Sequence, residues 1–251
     1  MLSKSQVKYI QSLGHKECRD EEALFIAEGT KIIAEFLADK NCVIKHLYAI
    51  KEWIHENEKK VHAEITEVTP GELERISQLK TPNKVLAVTE KIKWNGQPTL
   101  KNELSLALET IQDPGNMGTI IRLADWFGIR QIFCSPDCAD AYNPKVVQAT
   151  MGSIARVRIE HTDLTHLIDK NREIKLYAAV LGGEDVTKLE KITEGIILIG
   201  NESKGISGTL LKRVHKQISI PGKGKAESLN AAIAAGIILS HLMQLPMTNE
   251  N

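Results

Sequence analysis

Short apolar runs alternate with helix-period stripes along almost the whole chain. Near the start, Val7, Ile10 and Leu13 fall on one line, the spacing of a short amphipathic helix within residues 2–19. Between 24 and 90 the pattern predicts a small α/β unit. Its strands are expected at 23–27, 43–50, 65–68 and 85–89, and its helices at 31–37, 51–59 and 70–79. Trp94-Asn95-Gly96-Gln97-Pro98 interrupts the pattern, which places a domain boundary there, with 95–102 as linker. From Leu104 the alternation restarts, with strands expected at 104–110, 131–134, 156–159, 175–180, 195–199 and 218–220. Helices are expected at 117–127, 144–151, 163–171, 207–215 and from 227 onward. Runs such as LSLALET are almost continuously apolar, as parallel strands buried on both faces are. The expected fold is α/β: a mostly parallel sheet with helices on both faces over 103–251, preceded by a small α/β domain over 1–94. Ligands of such a sheet sit beyond the carboxyl ends of its strands.

Composition narrows the function classes. The 251 residues carry 32 basic and 32 acidic side chains and no net charge, so a nucleic-acid site has to come from local patches. One such patch stands out. Residues 203–226 contain Lys204, Lys212, Arg213, Lys216, Lys223 and Lys225 and no acid. The amino-terminal helix adds Lys4, Lys8, Lys16 and Arg19 against Glu17. Contacts to a polyanion such as a nucleic-acid backbone are expected from Lys4, Lys8, Arg19, Lys204, Lys212, Arg213, Lys223 and Lys225. Four scattered cysteines do not make a disulfide framework and fit a reducing cytoplasm. No signal peptide and no membrane-spanning run is expected.

Three loops at strand ends carry the candidate chemistry. In the first, Asp113-Pro114-Gly115 is a turn, and Asn116 is a suitable cap for the helix that follows. That helix buries Ile120, Leu123, Ala124 and Phe127, leaves Arg122 off the apolar stripe, and ends at Gly128. In the second, a buried strand runs into Gly200-Asn201-Glu202-Ser203-Lys204-Gly205. Its glycine spacing matches a P-loop, but Ile206-Ser207 stands where Lys-Ser/Thr is required, so a P-loop is excluded. The third is 218–245: strand, Pro221, a Gly/Lys loop, then Glu227-Ser228-Leu229-Asn230 opening a helix of small residues. Helix-start N–H groups lack internal partners, which suits a nucleotide-like ligand. No G-x-G-x-x-G follows a strand, and no nucleophile elbow is present. Cys134-x₃-Cys138 reads as the end of a buried strand and His161-x₄-His166 as the start of a surface helix, not as a zinc site.

Taken together, the three loops resemble the SpoU (TrmH) family of RNA ribose 2′-O-methyltransferases, in the SPOUT superfamily. The matching residues are Asn116, Gly118, Arg122 and Gly128, then Gly200-Asn201-Glu202-x-x-Gly205-Ile206, then Ile218-x-Ile220-Pro221 with Glu227-Ser228-Leu229-Asn230. Family members often carry Met where Gly222 stands. Residues 24–90, with Phe25-Ile26-Ala27-Glu28-Gly29, look like the family's substrate-binding domain, whose fold resembles a small RNA-binding ribosomal protein.

The resemblance implies a carboxy-terminal trefoil knot, a homodimer with the site near the subunit interface, and S-adenosylmethionine bound in a bent form. Cofactor contacts are implied for Val180, Leu181, Gly182, Ile199, Gly200, Asn201, Glu202, Ile220, Ser228, Leu229 and Asn230. The catalytic set is implied to be Arg122, Asn116, Glu202, Ser228 and Asn230, with no metal. The resemblance also implies a ribosomal or transfer RNA as substrate. A non-catalytic RNA-binding member of the same fold is the alternative, opposed by the intact Arg122, Glu202 and Asn230. A guanidinium is a poor proton acceptor. Arg122 is therefore expected to pair with a substrate phosphate and stabilise the developing alkoxide, the proton leaving to phosphate or water. Asn116 with Ser228 or Asn230 would orient the ribose, and Glu202 would hold its loop.

Overall fold

A computed structural model describes residues 1–243. The end of the predicted 218–245 stretch and of the predicted 103–251 domain, residues 244–251, lies outside the described residues. Helix α1 (Lys4–Ser12) opens with a capping box: the Ser3 hydroxyl accepts from Gln6 N, and the Gln6 side chain accepts from Ser3 N at 2.9 Å. Its buried residues are Val7 and Ile10, followed by buried Leu13, the line seen in the sequence. Then come α2 (Lys16–Glu22), β1 (Leu24–Glu28), α3 (Thr30–Ala38), β2 (Ile44–Ala49), α4 (Lys51–Asn57), β3 (Glu64–Glu67), α5 (Pro70–Ile76) and β4 (Val85–Glu90). These strands form a four-stranded sheet in the order β1-β4-β2-β3, antiparallel except for β2 and β3.

The chain continues through β5 (Leu104–Leu108), α6 (Pro114–Trp126), β6 (Gln131–Cys134), α7 (Pro144–Thr150), β7 (Arg158–His161), α8 (Leu164–Lys170) and β8 (Leu176–Asp185). It ends with β9 (Gly195–Ile199), α9 (Gly208–Leu211), β10 (Lys216–Ser219) and α10 (Ala231–Leu242). Strands β5 to β10 make a six-stranded sheet in the order β10-β8-β9-β5-β6-β7, parallel at every pairing. Ala107, Ile196 and Leu198 share a cluster with Leu164 and Ile168 of α8 and Leu210 of α9. Their alternates Leu106, Leu108, Ile197 and Ile199 point to the opposite face and are equally buried, so the sheet is covered on both sides. Helices α6 and α10 pack against each other, and Leu123 fits against Gly236.

The chain divides into two compact units, and the division is not a single cut. Residues 1–95 cluster with 140–156, while 96–139 cluster with the chain from 157 onward. Helix α7, which alternation alone assigns to the larger sheet, therefore belongs with the amino-terminal unit. Within that unit Asp140 meets Arg19 of α2, at 3.1 Å from Nε and 2.5 Å from Nη2. Arg19 is 1% exposed and also donates to the Leu13 and Gly14 carbonyls. The expectation that Arg19 contacts RNA is thus corrected: its guanidinium is enclosed and committed to Asp140 and two backbone carbonyls.

Candidate functional site

The three predicted loops converge at the carboxyl ends of β5, β9 and β10. Helix α6 starts earlier than its apolar stripe suggests. Asp113 is the cap and accepts from Asn116 N at 2.8 Å, and Pro114 occupies the first turn. Asn116 is therefore relieved of the capping duty expected of it, and its side chain turns elsewhere. Its amide donates to Glu202 Oε1 at 2.5 Å, and its Oδ1 accepts from Asn230 Nδ2 at 2.8 Å. The start of α10 is corrected as well. The helix begins at Ala231, with Asn230 rather than an earlier residue as cap, Oδ1 accepting from Ala232 N and Ile233 N.

These bonds fix the orientation of both amides. Asn230 Oδ1 is occupied by two helix N–H groups, so its NH₂ faces Asn116. Asn116 then presents its own NH₂ to the Glu202 carboxylate. One N–H and one lone pair of Asn116 stay available to a further partner. Residues 116, 202 and 230, one from each motif, thus form one directed chain of hydrogen bonds.

Beside this chain lies a cavity of about 800 Å³. Its walls include Val180, Leu181 and Gly182 from the stretch of β8 between its two paired segments, Ile199 to Gly205 from the end of β9 onward, and Ile220, Ser228 and Leu229. Of the predicted cofactor contacts, Asn230 alone is not a lining residue. The volume is that of a pocket for a drug-sized ligand. Leu181 and Leu229 expose apolar side chains, at 78% and 44%. An apolar wall with a few polar groups at one end fits a cofactor that joins a planar base to a charged tail.

Backbones meet closely around this cavity. A Cβ on Gly200 would stand 2.6 Å from the Gly205 backbone, and one on Gly183 would stand 2.8 Å from the Gln217 and Ile218 backbones. The pairing of β10 with β8 shifts register between Gln217 and Ile218, so Gln217 is opposite Ala178 and Ile218 opposite Glu184. That jump lets residues 179–182 bow out and line the cavity. Asn201 organises its own loop: Oδ1 accepts from Ser203 N and Lys204 N, and Nδ2 donates to Thr110 O at 3.0 Å.

Arg122 is exposed on α6, and none of the hydrogen bonds or ion pairs among the described residues uses it. Ser228 is exposed at the cavity. Trp126, one turn after Arg122, is 77% exposed, and Ile233 on α10 is 56% exposed.

The basic patch is smaller than the sequence suggests. Arg213 forms a two-pronged pair with Asp169 of α8, at 3.0 and 2.7 Å, and its hydrogen bonds hold the Asp169 carboxyl below the usual range. Lys216 pairs with Glu184 at 3.0 Å. The acids missing from the local sequence arrive from other elements, so Arg213, expected as an RNA contact, is already paired within the chain. Lys4, Lys8, Lys204, Lys212, Lys223 and Lys225 are exposed. Among the described residues no three potential metal ligands cluster, and no helix is long and apolar enough to cross a membrane.

Comparison with known proteins adds the following. Residues 103–240 match the model of the SpoU rRNA Methylase family, and residues 4–87 match the MRM3-like substrate binding domain. A 23S rRNA (guanosine(2553)-2′-O)-methyltransferase from Bacillus subtilis is 26% identical over 240 residues, 94% of this chain and 95% of that protein. A TrmH-family protein from Porphyromonas gingivalis superposes with a TM-score of 0.84 at 35% identity, covering 97% of this chain and 98% of that one. An AdoMet-bound rRNA methyltransferase from Sinorhizobium meliloti superposes with a TM-score of 0.84 at 30% identity, over 96% of each chain.

Proposed function

The chain belongs to the SpoU rRNA methylase family, and on that premise we propose that it methylates a ribose 2′-OH of ribosomal RNA, using S-adenosylmethionine. The observation that carries the reading is the Glu202–Asn116–Asn230 chain of hydrogen bonds at the end of a ligand-sized cavity. Ribosomal RNA is favoured over transfer RNA because the Bacillus subtilis relative, aligned along nearly all of both chains, is a 23S rRNA enzyme. Such an RNA is met in the cytoplasm.

S-adenosylmethionine supplies an electrophilic methyl on a sulfonium. The residues that would hold it are Val180 to Gly182, Ile199 to Glu202, Ile220, Ser228 and Leu229. The chain's own contribution is to the nucleophile. Asn116 keeps one N–H and one lone pair free, which suits a ribose hydroxyl, and Glu202 and Asn230 prevent its amide from flipping. Arg122, unengaged among the described residues, pairs with a substrate phosphate and stabilises the developing alkoxide. The proton leaves to phosphate or water. Holding the hydroxyl in line accounts for much of the rate.

Two further features belong to this reading. Exposed Trp126 and Ile233 lie on the packed pair α6–α10, and a second copy of the chain would cover them, placing Arg122 at the subunit interface. The close backbone approaches at Gly183 and Gly200 support the tight threading of a trefoil knot. The amino-terminal unit, with exposed Lys4 and Lys8, serves as the RNA-binding domain.

The test is transfer of labelled methyl from S-adenosylmethionine to total RNA lacking the modification, followed by nucleoside analysis. Label in one 2′-O-methylated nucleoside of large-subunit rRNA, lost in Arg122→Ala, is expected. Label in a base-methylated nucleoside, or full turnover by Arg122→Ala, would overturn the reading.

A further inference from the structure

Between β10 and α10 the chain runs from Ile220 to Leu229 without helix or strand. Both ends of this strap are fixed. Ile218 is fully buried opposite Glu184 of β8, and Ser219 Oγ donates to Gly183 O at 2.7 Å. At the other end Asn230 caps α10 and donates to Asn116 Oδ1 at 2.8 Å. Between these anchors, no hydrogen bond or ion pair among the described residues involves residues 220–229. Residues 221–229 are all exposed, and a Cβ on Gly222 or Gly224 would meet no atom within 4 Å. A segment held only at its ends, with unpaired backbone and little packing, belongs to the least stable part of a fold.

The strap has two sides. Gly222, Gly224 and Ala226 line the cavity, whereas Lys223 and Lys225, which alternate with them, do not. Both lysines are exposed. Among the described residues neither pairs with an acid, while Arg213 and Lys216 of the same basic run do. Small residues thus border the ligand space, and the two free cations stand on the far side of the same backbone.

We infer that 221–229 is a strap whose inner side seats on S-adenosylmethionine and whose seating sets Lys223 and Lys225 to grip RNA phosphates, so that cofactor and RNA bind with positive coupling. This rests on the cavity being the S-adenosylmethionine site proposed above. In the free chain the backbone N–H groups of the strap bond to water, and both lysines range over many positions. An RNA that used them would lose affinity to the entropy of fixing the strap. A ligand in the cavity gives the inner side a surface to pack on, with apolar Ile220 and Leu229 near the strap's two ends. The loss of freedom then falls on cofactor binding, and RNA meets two lysines already in place, each able to displace condensed counterions. Such coupling is reciprocal, so RNA strengthens cofactor binding by the same factor. The arrangement favours the ternary complex, in which methyl transfer takes place, over either binary complex.

The experiment uses full-length protein, S-adenosylhomocysteine as probe, and unmodified large-subunit rRNA transcribed in vitro. The probe has no methyl to transfer and no sulfonium charge, so a gain in RNA affinity comes neither from turnover nor from attraction of RNA to that charge. Trypsin cleaves after lysine; cutting after Lys223 and Lys225, mapped by peptide mass, should be suppressed by saturating probe. Filter binding at one fixed salt concentration should show RNA affinity rising about tenfold with the probe, within the usual range for coupled sites, and calorimetry should show the same factor for the probe when RNA is present. Lys223→Ala/Lys225→Ala should lose this gain, its calorimetric binding of the probe showing that it is folded. Lys212→Ala, in the same basic run but outside the strap, should bind RNA more weakly and keep the gain. Equal cleavage with and without probe, unchanged RNA affinity in its presence, or a gain that survives the double substitution overturns the inference while leaving the cofactor reading intact. A protein that binds no S-adenosylhomocysteine overturns the cofactor reading and the coupling with it.

Discussion

Gly200→Ala tests the cavity wall with one methyl group. The added Cβ would stand 2.6 Å from the Gly205 C and O atoms and 2.7 Å from Ile206 Cγ1. That is about 0.4 Å inside the closest approach that real Cβ atoms show. Two of the three obstacles are backbone, so no side-chain rotation relieves the clash. The 201–205 segment has to swing out, against the Gly205 N to Asn201 O bond at 2.9 Å and the Asn201 to Thr110 bond. Overpacking of this kind costs roughly 1–3 kcal/mol. The segment is largely exposed, so the free protein relaxes by displacing it, and the cost appears when a ligand needs the wall in place. S-adenosylmethionine should then bind roughly 5- to 150-fold more weakly, while the melting temperature falls by no more than a few degrees. Gly222 lines the same cavity, but a methyl added there would meet no atom within 4 Å, and its φ is not positive, so Gly222→Ala is the matched control. Calorimetric titration of both variants decides the matter. Equal affinities for Gly200→Ala, Gly222→Ala and the parent chain would refute the argument that this wall has to be seated for the ligand to bind.

Arg19→Met should destabilise the protein by about 3–5 kcal/mol, because Asp140 and two carbonyls lose their buried partner; denaturant unfolding measures it, and a loss below about 1 kcal/mol would count against the pairing. Lys223→Ala and Lys225→Ala should each lower the slope of log K against log salt for RNA binding by about 0.7–0.9, read by filter binding. Arg213→Ala, already neutralised by Asp169, should change that slope little. Glu28 sits buried at the end of β1, and burial raises its carboxyl despite bonds from Ser77 and Gln78. An acid whose folded value is raised holds its proton more tightly in the folded chain, so its contribution to stability falls as pH rises from about 4.5 through that raised value. The melting temperature of the parent chain relative to Glu28→Gln should therefore increase as pH is lowered through that window; an unchanged or reversed difference would refute it.

What could be read from the sequence was local, and what could not was set by distant partners. Strands β6 and β9 have the expected ends because each is a short apolar run bounded by turn residues. The start of α6 was readable but ambiguous: Asp113 and Asn116 are both competent caps, and Pro114, favoured in the first helical position, decides for Asp113. The consequence reaches the chemistry, since an Asn116 engaged as cap could not have bridged Glu202 and Asn230. Other features had no local signal. Strand β8 runs on to Asp185, past the expected end at 180, because β10 pairs with it from more than thirty residues later and jumps register in doing so. Arg19 looked like a free cation on a basic helix, and its partner lies 121 residues away in a segment that alternation assigns to the other unit. The acid-free run at 203–226 was a fact about sequence, not about space, since Asp169 and Glu184 come in from α8 and β8. In this chain the motif residues were visible because turns and helix caps restrict which residue types can stand there. Which of the surrounding charges stay free was decided only by the fold, so substitutions aimed at RNA binding belong at Lys204, Lys212, Lys223 and Lys225 rather than at either arginine.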